Sequence, residues 1–151
     1  MKIQDILSQD CVWVEKTALP KKKLLEKMSH LAAEKTGLSE TVILDALVER
    51  ERLGTTGIGR GVALPHSPVS GLKKIFCAFV KTVPMDFEAA DKKPVKFLFL
   101  LLVPPNAGAD HLKALAKLSR LLRNENVLAA FEKSELPKEL YKTITTNDTD
   151  E

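Results

Sequence analysis

The sequence predicts an α/β fold: a single domain with a mixed β-sheet and helices on both faces. Three observations carry that prediction. Residues 95–103, VKFLFLLLV, are apolar almost without interruption, the pattern of a strand covered on both sides. Apolar residues elsewhere recur at helical spacing in segments bounded by capping residues and glycine. Short strand-like runs alternate with those segments, and no repeat or linker divides the 151 residues. The domain is expected over 1–145, with a polar, disordered tail at 146–151.

In chain order, Ile3, Ile6 and Leu7 form an amphipathic turn before a first strand at Cys11–Val14. Pro20 marks a helix start, Leu24, Met28, Leu31 and Lys35 follow helical spacing, and Gly37 ends that helix. Ser39 caps a second helix with Ile43, Ala46 and Leu47 inside. Three residues further, Arg50 falls on the same inner stripe. A short strand at Val62–Leu64 delivers His66 at its end, and Ile75–Val80 forms another strand. Met85–Phe87 reads as an edge strand, and Pro104 and Pro105 terminate the apolar run. Asp110 is expected to cap a helix carrying Leu115, Leu118 and Leu122, with His111 on the core side of its first turn. Val127, Leu128 and Phe131 mark a short helix, and Ser134 is expected to cap the last one, with Leu136, Leu140 and Ile144.

Composition excludes several classes. The formal charge is only +3 and the basic residues form no long block, so lysine pairs and triplets read as solvated faces. With one Trp and one Tyr there is little on which bases could stack, and nucleic acid is not an expected partner. Cys11 and Cys77 lack metal spacing and are expected as buried free thiols in a reducing cytoplasm. The first ten residues lack an apolar signal core, and 97–103 is too short to cross a bilayer. Neither a metal nor another cofactor is expected, because no histidine has a clustered Cys or carboxylate at ligand spacing.

The chemistry concentrates in residues 53–67, LGTTGIGRGVALPHS, with glycines at 54, 57, 59 and 61. Such a stretch can turn sharply and present N–H groups and the Thr55 and Thr56 hydroxyls to an anion, most simply phosphate. Thr55, Thr56, Gly57, Gly59 and Arg60 are accordingly the expected phosphate-binding set. The spacing fits neither a P-loop, which needs Lys-Ser or Lys-Thr after the last glycine, nor a dinucleotide fingerprint, which follows a strand. No G-x-S-x-G elbow of a serine hydrolase is present. The stretch ends on His66, where a neutral imidazole would be a nucleophile for a phosphoryl group. His111 stands at a helix N-terminus and can hydrogen-bond a phosphoryl oxygen; alternatively it is a satisfied core residue. Arg50 either neutralises a helix C-terminus or pairs with phosphate, as its guanidinium suits. His30 sits on a lysine-flanked face and is expected to be solvated and idle.

The run from Arg50 to His66, R-E-R-L-G-T-T-G-I-G-x-G-x-A-x-P-H, resembles the active-site signature of the fructose/mannitol class of enzyme IIA proteins. These belong to the bacterial phosphoenolpyruvate-dependent phosphotransferase system. The likeness to the nitrogen-regulatory branch extends over ILSQD, LAAEKTGL, PV-x-FLFLLLVP and GADHLKALAKLSRLL. The resemblance implies the fructose/mannitol-type enzyme IIA fold. It implies that His66 accepts a phosphoryl group on Nε2 from the phosphohistidine of an HPr-like carrier, with His111 beside it and Arg50 near the pair. The implied output is regulatory, because no sugar-binding or membrane domain accompanies the chain. A IIA component of a fructose-type transporter and a non-catalytic anion-sensing or interaction module on the same fold are the alternatives. Two residues depart from the family pattern: Ser67 replaces the usual glycine, and Arg60 stands where an uncharged residue is common.

Overall fold

A computed structural model describes residues 1–149. Two short 3-10 turns, Ile3–Asp5 and Gln9–Cys11, lead into strand β1 (Val12–Glu15). Helix α1 (Lys21–Thr36) ends at Gly37, whose φ of 78° lets its N–H reach the Ala33 carbonyl. Helix α2 (Glu40–Arg52) is capped by Ser39, whose Oγ accepts the Val42 N–H at 3.3 Å. Leu24, Leu25, Met28 and Ala32 of α1 and Ile43 and Leu47 of α2 are buried. Lys35 is exposed and pairs with Asp10 at 2.5 Å.

The glycine-rich stretch is a hairpin followed by a short strand. Strand β2 (Gly57–Gly59) pairs antiparallel with β3 (Val62–Ala63), and β4 (His66–Pro68) follows. The two long strands are β5 (Phe76–Met85) and β6 (Val95–Val103). The sheet order is β1-β5-β6-β3-β2, with β4 also paired to β6. β5 runs antiparallel to β6, whereas β1–β5, β3–β6 and β4–β6 are parallel, so the sheet is mixed as predicted.

β5 is one strand where the sequence divides it into 75–80 and 85–87. The polar break at Lys81 and Thr82 is a register shift within the ladder, not a loop. The Lys81 Nζ donates to the carbonyls of Phe131 (2.9 Å), Glu132 (3.1 Å) and Ser134 (2.6 Å), closing the end of a helix.

Three helices complete the chain: α3 (Ala109–Leu122), α4 (Glu125–Lys133) and α5 (Pro137–Thr146). Two expected caps fall elsewhere. Gly108, with φ 56°, flanks α3, and Asp110 lies inside its first turn. Ser134 ends α4, where its hydroxyl donates to the Ala130 carbonyl at 2.8 Å. α5 instead opens at Pro137, with the Glu139 carboxylate accepting the Leu136 N–H at 3.3 Å.

Every residue of β6 except Lys96 is buried, so both faces of the sheet are covered. Phe131 of α4 stacks on Phe79 and Phe97 on one face, at ring-centroid distances of 4.8 and 5.3 Å. α1 and α2 pack on each other and against β5 and β4. Cys11 and Cys77 are buried free thiols. The tail expected from 146 extends past the described residues. Within them, Thr146 completes α5, and Asp148 accepts the Ile3 N–H at 2.7 Å and pairs with Lys117 at 2.8 Å.

Close approach explains one glycine. A Cβ at Gly57 would stand 2.9 Å from both Cα and Cβ of Ala89, while the Gly57 carbonyl accepts the Ala90 N–H at 2.9 Å. Gly57→Ala is therefore expected to lower the unfolding free energy by about 1–3 kcal/mol in urea titration. Wild-type stability in that variant would refute the close approach as the reason for the glycine.

Candidate functional site

β3 stops at Ala63 and β4 starts at His66, and both lie parallel to β6. Leu64 and Pro65 form the step between them. The Pro65 carbonyl accepts the Leu101 N–H at 3.0 Å, which keeps the step on the β6 ladder. The Leu64 N–H donates to the Thr56 carbonyl at 3.0 Å. The Leu64 carbonyl lies 2.7 Å from Nδ1 of His66. A carbonyl can only accept, so Nδ1 carries the ring proton and donates it, and Nε2 keeps the lone pair.

His66 is half-buried. Burial, above all, holds its imidazole below the ordinary value of 6.5. The Arg50 guanidinium and His111 push the same way, against the Leu64 hydrogen bond and Glu51. His111, in the first turn of α3, faces His66 with ring centroids 6.3 Å apart and planes tilted by 57°. Its Nε2 is buried with no hydrogen-bond partner among the described residues. A buried polar atom of this kind is costly unless a ligand or partner meets it. Among the described residues, no side chain caps the N-terminus of α3.

Arg50 lies in the last turn of α2 and donates from Nη1 to the Gly54 carbonyl at 2.9 Å. The two histidines and Arg50 thus come together from β4, α3 and α2. The threonines do otherwise. Thr55 Oγ1 donates to the Phe87 carbonyl at 3.2 Å and accepts the Gly57 N–H at 3.0 Å. Thr56 is 3% exposed, and its hydroxyl donates to Glu51 Oε2. Both hydroxyl protons, read from the sequence as donors for an anion, are already engaged in building the hairpin. Gly57 and Gly59 lie in β2 against Ala89 and Asp91.

Arg60 is not brought to the histidines. It turns the β2–β3 hairpin at φ 61°, donates its N–H to Asp91 Oδ2 at 3.1 Å, and approaches Glu125 at 4.0 Å. Val62 aligns with Phe97 and His66 with Leu101, so His66 lies four residues further along β6, roughly 13 Å away from the turn end. Ser67 is buried and, by strand alternation, faces away from the side His66 occupies; its Oγ donates to the Pro68 carbonyl at 2.8 Å. His30 is exposed and pairs with Glu40 at 2.7 Å.

One residue escaped the sequence reading. Glu51, whose side chain is 7% exposed, accepts the Thr56 N–H at 3.1 Å and the Thr56 hydroxyl and pairs with Lys21 at 3.0 Å. Its place inside the R-E-R run was the available signal; its partners, on the loop and on α1, are set by tertiary structure.

Residues 5–147 match the family model described as phosphoenolpyruvate-dependent sugar phosphotransferase system, EIIA 2. This mixed sheet with paired histidines at one strand end is therefore an enzyme IIA domain. The chain belongs to that phosphotransferase-system EIIA family, and phosphoryl transfer is the family's business. It is 40% identical over 145 residues to a nitrogen regulatory protein of Bradyrhizobium diazoefficiens, covering 95% of each chain. It is 37% identical over 127 residues to a PTS system fructose-specific EIIA component of Haloferax volcanii, covering 83% of this chain and 82% of that one. The crystal structure of nitrogen regulatory protein IIA-Ntr from Neisseria meningitidis superposes with a TM-score of 0.88 at 34% identity. That match covers 95% of this chain and 99% of the other. At 16% identity and a TM-score of 0.75, the mannitol IIA of Escherichia coli shares the fold. Among the described residues, no helix is long and apolar enough to cross a membrane.

The two histidines with displaced pKa values give a pH signature. His30 is raised above 6.5 by its hydrogen bond to Glu40 and by Glu34, whereas His66 is lowered. An NMR titration is expected to find His30 above and His66 below that value. The neutral His66 ring is favoured by folding, so its contribution to stability is complete above about pH 6.5 and is lost as pH falls through the lower folded value. Coincident midpoints, or the reverse order, would contradict the burial of His66.

Proposed function

We propose that His66 is the phosphoacceptor of a regulatory phosphotransferase-system component, charged by the phosphohistidine of an HPr-like carrier in the cytoplasm. The hydrogen bond from Nδ1–H of His66 to the Leu64 carbonyl carries this reading, because it leaves Nε2 as the ring nitrogen with a free lone pair. The lowered pKa supports it further, keeping the ring neutral and nucleophilic near pH 7.

In the proposed step, the Nε2 lone pair attacks phosphorus in line with the donor's P–N bond. That bond breaks, its electron pair stays with the donor imidazole, and a new P–Nε2 bond forms. The positive charge that the His66 ring gains is shared with the Leu64 carbonyl through Nδ1–H. The unpartnered Nε2 of His111, if protonated, donates to a phosphoryl oxygen. Arg50, with donors beyond the one given to Gly54, offsets the anionic charge. The Thr55 and Thr56 hydroxyls, already engaged within the protein, are not among the proposed anion contacts.

The regulatory output rests on the nitrogen regulatory relatives, and phosphorylation alters the local charge by up to about two units, enough to change which proteins dock. A second reading, a fructose-type IIA component, draws on the 37% identity to the Haloferax volcanii protein. Efficient onward transfer from His66 to a fructose-type IIB domain would select it.

Incubation with phosphoenolpyruvate, enzyme I and an HPr-like carrier, followed by intact-mass measurement, is expected to show one acid-labile phosphoryl adduct. His66→Ala is expected to show none. Absence of the adduct on wild-type protein facing a demonstrably charged cognate carrier would overturn phosphotransfer and favour a non-catalytic anion-sensing module.

A further inference from the structure

A continuous run of hydrogen bonds connects α1 to the His66 ring. Lys21 Nζ contacts Glu51 Oε1 at 3.0 Å, and the Glu51 carboxylate accepts both the N–H and the hydroxyl of Thr56. The Thr56 carbonyl accepts the Leu64 N–H at 3.0 Å, and the Leu64 carbonyl accepts the His66 Nδ1–H at 2.7 Å. Thr56 and Leu64 each use the N–H for one contact and the carbonyl for the next, so the four contacts together fix one backbone register between Glu51 and the His66 ring.

We propose that Glu51, braced by Lys21, is a positioning residue for His66: it fixes the Thr56–Leu64 register that presents the Leu64 carbonyl to Nδ1 and thereby selects Nε2 for reaction. Three features favour this role over a direct one. A carboxylate next to a site for an anionic phosphoryl group would repel it, yet both Glu51 oxygens already have protein partners. The carboxylate and the Thr56 side chain are withdrawn from water, so solvent cannot replace the bonds if they are cut. Lys21 is itself anchored, 4.4 Å over the Phe87 ring and 3.3 Å from Glu88. The Phe87 carbonyl in turn holds Thr55, so α1, α2 and the 86–91 segment all converge on the hairpin through this cation and its carboxylate.

The consequence for transfer rests on the phosphoacceptor reading of His66; the consequence for the ring tautomer does not. The test compares full-length wild type with Glu51→Gln, Lys21→Met and Lys21→Arg. The tautomer of His66 is read by nitrogen NMR well above its titration midpoint, and transfer from the phosphorylated carrier is read as kcat and KM. Glu51→Gln is expected to raise the population protonated on Nε2 and to lower kcat roughly tenfold, with KM close to wild type. Lys21→Met is expected to move both readouts the same way to a smaller degree, and Lys21→Arg to restore both.

A folded Glu51→Gln protein with the wild-type tautomer would overturn the proposal, as would a loss of rate with no tautomer change. Should Glu51→Gln fail to fold, Lys21→Met decides by the same criteria. A wild-type protein that accepts no phosphoryl group would sink the phosphoacceptor reading, while the tautomer comparison would still decide the positioning role.

Discussion

The hydrogen bond between the Leu64 carbonyl and the His66 imidazole is the contact on which the site turns, and it exists because two short strands share one long neighbour. β3 and β4 both lie parallel to β6, separated by Leu64 and Pro65. Proline has no N–H to give, and its carbonyl is taken by Leu101. Leu64 spends its N–H on Thr56 and has its carbonyl left to orient the ring. Chain direction at the end of a parallel strand thus becomes a choice between two ring nitrogens.

That choice needs a strand that does not move. β6 is buried on both faces and pinned by an aromatic cluster, with Phe79 and Phe99 4.7 Å apart across the ladder and Phe131 of α4 laid over Phe79 and Phe97. Lys81, donating to three carbonyls at the end of α4, fixes that helix to β5. From the other end of β6, the chain turns directly into α3, whose first turn sets His111 beside His66. The two histidines are therefore referenced to the same strand, His66 through backbone pairing and His111 through chain connectivity.

Much of this was legible in the chain because the signals were local. Nearly unbroken apolarity in 95–103 announced the central strand, Gly37 and Ser39 bounded two helices, and helical phase placed Arg50 and His111 on inward faces. What eluded sequence reasoning depended on partners distant in sequence. Lys81 looked like the end of a strand because nothing nearby reveals that α4 carbonyls await its ammonium. Glycines that resembled an anion cradle serve, at Gly57, the passage of Ala89. Threonine hydroxyls that seemed free are tied to Glu51 and Phe87. Arg60 was adjacent in sequence to the right loop yet sits at the wrong end of its hairpin. Ser67, a departure from the family pattern, is turned into the interior, away from the side the His66 ring occupies. The resemblance to enzyme IIA proteins supplied the expected donor, which no periodicity or spacing contains.

Phosphorus–nitrogen coupling in the NMR spectrum of the phosphorylated, nitrogen-labelled protein tests the central claim most directly. With Nδ1 committed to the Leu64 carbonyl, coupling is predicted to the Nε2 of His66, with the Nδ1 proton retained. Coupling to Nδ1, or to a different histidine, would contradict the assignment of that hydrogen bond as the selector of the reacting atom.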